Sequence, residues 1–94
     1  MFHNITEGVP VQFSLDHGLV RITFSDPAYV RSDVIIFNRK DCSLHAVLNE
    51  GLHLIARIDG DLTKTFASTS EVVLAAPHYY SGAINLKIPL VVKN

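Results

Sequence analysis

From Val9 to Val92 the chain consists of short apolar runs of strand length, broken by turn residues about every eight to twelve positions. Helices need a longer repeat at period 3.6, so this rhythm predicts a small all-β domain of seven to eight antiparallel strands, a sandwich or a barrel. Ninety-four residues make one domain, 1–94, with residues 1–8 expected as an N-terminal tail with little order.

Two hairpins can be registered from side chains alone. Val11, Phe13 and Leu15 alternate with polar partners up to Asp16, and Val20, Ile22 and Phe24 do so after Gly18. A two-residue turn at His17-Gly18 sets Leu15 against Val20, Phe13 against Ile22 and Val11 against Phe24. A three-residue loop would turn one apolar set outward. Further on, Cys42, Leu44, Ala46 and Leu48 precede Asn49-Glu50-Gly51, and Leu52, Leu54, Ala56 and Ile58 follow. Here a three-residue loop with a left-handed Gly51 aligns both sets on one face.

Between and after these hairpins the signals are weaker. Asp26-Pro27 is a cap followed by a first helical position, which predicts a single helical turn over Pro27-Arg31. Asp33 to Phe37 is apolar on both faces and reads as a central strand. Asp59-Gly60-Asp61 reads as a turn and Leu62 to Phe66 as a weak strand. Residues 71–76 read as a strand, with a short helix as the rival because Ser68 and Glu71 have capping-box spacing. In the last strand Ile84, Leu86, Ile88, Leu90 and Val92 point inward, and Pro89, which donates no ladder bond, predicts an edge or a bulge.

Charged residues are only 18% of the chain, against about 25% in ordinary domains, while 48% are hydrophobic and mean hydropathy is +0.25. A small domain has much surface to keep wet, so this excess points to buried interface: a homo-oligomer is expected, or a different protein partner. The net charge of -1 and scattered basic residues, with Arg39-Lys40 the only adjacent pair, argue against nucleic acid. No basic amphipathic face favours a membrane surface, and no apolar stretch approaches the ~20 residues of a span. One cysteine excludes an intrachain disulfide, and with no leader-like opening the expected compartment is the cytoplasm.

Few residues could carry chemistry. With the three-residue loop, His45 and His53 share a sheet face with Arg57 and stand roughly 7–8 Å apart across the strands. Two histidines do not complete a metal site: zinc needs three or four ligands, and Cys42 points the other way. His17 or Glu50 would have to join through tertiary contacts. No serine sits in a nucleophile elbow, no glycine-rich loop is present, and Asp59 and Asp61 lack the rest of a calcium loop. The second place to look is His78-Tyr79-Tyr80, since tyrosines favour interfaces and ligand mouths; Tyr29 could join them. The expected function is therefore a non-catalytic binding or assembly module that self-associates, with no cofactor. Its candidate residues are His45, His53, Arg57, His78, Tyr79 and Tyr80. The alternative is a small barrel that binds a metal or small molecule through His45 and His53.

Overall fold

A computed structural model describes residues 2–5, 9, 11–77 and 83–94. Eight strands form one mixed sheet, curled into half of a barrel. They are β1 (Phe2–Ile5), β2 (Val11–Asp16), β3 (Leu19–Phe24), β4 (Ile35–Asn38), β5 (Ser43–Leu48), β6 (Gly51–Arg57), β7 (Glu71–Pro77) and β8 (Ala83–Lys93). The spatial order is β1-β2-β3-β7-β8-β4-β5-β6. Two three-stranded meanders are thus separated by the antiparallel pair β7–β8, which joins both of them in parallel, β7 along β3 and β8 along β4.

The expected all-antiparallel sandwich or barrel is corrected by this arrangement, and one misread segment explains why. Residues Gly60–Ser68 form a nine-residue α-helix, α1, where a turn and a weak strand were expected; helical structure is thus not confined to Pro27-Arg31. Asp59 caps it by accepting from the Asp61 amide at 3.0 Å. Two threonine hydroxyls serve the helix backbone: Thr63 Oγ1 donates to the Asp59 carbonyl, and Thr69 Oγ1, at the C-cap, donates to that of Thr65. A parallel neighbour requires a long crossover, and α1 supplies the length that carries the chain from β6 back to β7 beside β3.

Leu62 and Phe66 lie one turn apart on α1 and are both fully buried. The Phe66 ring meets Phe13 of β2 edge-on at 5.5 Å and Phe37 of β4 at 5.7 Å. The helix therefore fills the concave side of the sheet and touches both meanders.

Some of the other expectations hold and two do not. The β2–β3 pairing has the predicted register, turning through His17 and Gly18, both at positive φ. Residues Pro27–Arg31 form a 3-10 turn capped by Asp26, and Tyr29 stacks on Phe24 within the fold. Residues 71–76 lie in strand β7. Phe2–Ile5, expected as part of a tail, pair antiparallel with β2 as β1. Pro89 does not mark an edge strand: β8 lies inside the sheet, pairing with β7 up to Pro89 and with β4 from Leu90 onward. The residue without an N–H thus stands where the ladder changes partners, and the Leu90 amide donates to the Ser70 carbonyl at 2.8 Å.

The Phe66 contacts predict a large loss on truncation. Phe66→Ala should lower the free energy of unfolding by about 3–5 kcal/mol, read by urea denaturation. A loss under about 1 kcal/mol would show that the ring is not wedged between β2 and β4.

Candidate functional site

The β5–β6 hairpin decides where the candidate histidines lie. Its turn is the two residues Asn49 and Glu50, with φ of 50° and 64°, so Leu48 pairs with Gly51. Ala46 then faces His53 and His45 faces Leu54. The register shifts at Ile55, the extra residue of a bulge, and recovers with Leu44 against Ala56. Directly opposed residues share a face and successive residues alternate, so His45 and His53 project from opposite faces. The expected three-residue loop, and with it the shared histidine face, is overturned. Among the described residues no group of three His, Cys, Asp or Glu side chains could hold a metal ion. Cys42 is a half-buried free thiol with positive φ in the β4–β5 turn. His78, Tyr79 and Tyr80 lie outside the described residues.

The same register exposes a feature that the alternation pattern concealed. On the inner face, Leu90, Ile35 and Ala46 form one buried row and Phe37, Leu44 and Ala56 another. The outer face carries the row Val91–Ile36–His45–Leu54, with Val47 and Leu52 paired beside it. The middle of this outer face is apolar apart from its central histidine. Val91 is 41% and Leu52 58% exposed, and Ile36, His45, Val47 and Leu54 are half-buried. The helix covers the opposite side, since Phe66 meets Phe37. The signal was present in the sequence: β4 is apolar on both faces, and Val47 and Val91 occupy positions that a wet sheet face would fill with polar residues.

Charge is segregated along the strands of this face. Arg57 and Lys93 close β6 and β8 at their C-terminal ends, and Arg39 and Lys40 follow β4. The pairings Asn38–Lys93, Asn38–Ser43 and Ser43–Arg57 gather that end into one row. Asp41 is the acidic residue among them, bound by Ser43 Oγ at 2.6 Å, and the Arg57 guanidinium donates to its carbonyl at 3.5 Å. That Ser43 hydrogen bond, with the positive charge of Arg57, holds the Asp41 carboxyl below the usual carboxylate range. At the other end, Asp33 precedes β4 and Glu50 lies in the β5–β6 turn, both exposed.

A cleft of about 580 Å³ lies near the acidic end, lined by Asp26, Arg31, Asp33, Val47 and Leu48 among others. Several polar groups around it have structural tasks. Asp26 caps the 3-10 turn, and Ser32 Oγ donates to the Val34 carbonyl and accepts from the Val47 amide, tying that turn to β5.

No described helix is long and apolar enough to cross a membrane. No family model, curated protein or solved structure matches the chain.

The Ser43–Asp41 bond has a defined pH signature. Because the folded carboxyl is depressed, the bond contributes stability above the ordinary value of about 3.9 and loses it as pH falls through the lowered folded value. Ser43→Ala should move the Asp41 titration up towards about 3.9, followed by NMR of the carboxyl carbon. An unchanged midpoint would show that Arg57 alone sets it.

Proposed function

We propose that this chain is a non-catalytic β module that self-associates through the outer face of β8, β4, β5 and β6. The observation that carries the reading is the apolar row Val91–Ile36–His45–Leu54, flanked by Val47 and Leu52, on a sheet face with no described element across it. Water contact with such a face is unfavourable by roughly 25 cal/mol for each Å² of apolar surface, and a second apolar surface relieves it. The composition supports the same reading, because a domain with 48% hydrophobic and 18% charged residues has more apolar side chains than its own core needs. The lone thiol suits a reducing compartment such as the cytoplasm. The alternative, a metal or small molecule held by His45 and His53 together, has lost its support, since the two side chains leave the sheet on opposite sides.

Sedimentation velocity over a concentration series tests the reading. The native protein should dimerise. Val91→Lys, which places a charge on the exposed face, should raise the dissociation constant at least tenfold, about 1.4 kcal/mol. Monomer stability should stay within about 0.5 kcal/mol of native. A native protein still monomeric at about 100 μM, where even an interface of about -5.5 kcal/mol would be half filled, refutes self-association.

A further inference from the structure

We infer that two copies of the chain stack these outer faces across a two-fold axis running perpendicular to the strands, so that each strand lies antiparallel over its counterpart. The inference rests on the self-association reading and specifies its geometry.

A two-fold between stacked faces lies in the plane between them, and its direction decides which ends of the strands meet. An axis along the strands superposes like ends, bringing Arg39, Lys40 and Arg57 onto the partner's Arg39, Lys40 and Arg57. An axis across the strands superposes opposite ends, and here the ends differ in balance: Asp33 and Glu50 stand at one, with Arg31 and Lys87 also at that end, and Arg39, Lys40, Arg57 and Lys93 at the other, with Asp41 among them. Juxtaposing like charges is unfavourable and selects against the first arrangement; the second pairs acid with base.

The spacing fits that second arrangement. The row Ile36–His45–Leu54 runs across the sheet at the middle of the charged ends. In the β4 column Asp33 stands three residues before Ile36 and Arg39 three after it. In the β6 column Glu50 stands four residues before Leu54, and Arg57 three after it, with the bulged Ile55 between. An axis through the His45 row therefore carries Glu50 over the partner's Arg57, and Asp33 over the partner's Arg39 and Lys40. Each residue of strand advances about 3.3 Å, so both ends lie roughly 10–13 Å from the axis. Stacked sheets normally cross at about 30°, a rotation that long Arg and Glu side chains can span at that distance.

Glu50 is an independent pointer to the same contact. It occupies the second position of a two-residue turn at φ 64°, where glycine is the usual residue and a side chain is strained. In the stacked arrangement the carboxylate held there faces the partner's Arg57.

Charge exchange tests the arrangement. In sedimentation measurements Glu50→Lys and Arg57→Glu should each raise the dimer dissociation constant at least about tenfold, and the double variant should return to within about threefold of native. Lys64→Glu, on the exposed side of α1, should leave it unchanged. Because Arg57 also serves Asp41, Asp33→Lys and Lys40→Glu, both on exposed connections, provide a second exchange pair free of that contact. Single reversals without effect in a protein that still dimerises would overturn this arrangement and leave self-association intact. A native protein that stays monomeric would remove the underlying reading itself.

Discussion

Everything in this fold depends on one ring, Phe66, being held between Phe13 and Phe37. A sheet curled into half a barrel has a concave side that must exclude water, and among the described residues no second sheet closes over it. A single nine-residue helix supplies the cover, and its two buried side chains, Leu62 and Phe66, bring the apolar surface that fills the concavity. Because Phe13 belongs to one meander and Phe37 to the other, the same ring also fixes the curl. Flattening the sheet would pull both partners away from it and open a cavity lined by fully buried aromatic and branched residues.

How much of this was legible in the sequence follows from how much of each strand is buried. The β2–β3 hairpin could be registered from alternation because one face is core and the other is polar, so a one-residue slip would expose Phe13 and Ile22. The β5–β6 hairpin could not. With Val47, Leu52 and Leu54 apolar on the outer side and Leu44, Ala46 and Ala56 apolar on the inner one, a slip exchanges one apolar set for another, and alternation selects no register. Turn chemistry then decided: Asn49 and Glu50 both enter the left-handed region, and the Ile55 bulge absorbs the one-residue offset. The helix was hidden for a different reason. Its capping aspartate and its Leu62–Phe66 spacing were visible, but Thr63 and Thr65 carry strand propensity that packing overrode. The antiparallel assumption fell with it, because short hairpin connections cannot produce a parallel pair.

The candidate site was thus misplaced by a register error, and the error is informative. The residues that blur the β5–β6 register are the same ones that make the outer face apolar. A strand that lies inside a covered sheet reads as apolar on both sides. β4 reads that way, with Ile36 facing out and Ile35 and Phe37 facing in, although the described helix covers only the inner side. Among the described residues this is the pattern of a doubly covered sheet on a sheet covered on one side, and the proposed self-association would supply the second covering layer.

That layer has two routes by which to arrive, along an edge or onto the face, and the edges are blunted. At one end of the order β1 is only four residues long. At the other, β6 carries the Ile55 bulge, and the Ile55 carbonyl already accepts the Val9 amide at 2.7 Å, so part of its outward edge is occupied from within the chain. Short strands and bulges are the devices by which proteins prevent edge-to-edge growth. Adding a strand to either end would also leave Val91, Ile36 and Leu54 as wet as before, since the row runs across the sheet rather than along its margin. Only a body laid over the face removes that surface from water, and a closed two-fold pair does so without leaving a further apolar face free for open-ended assembly.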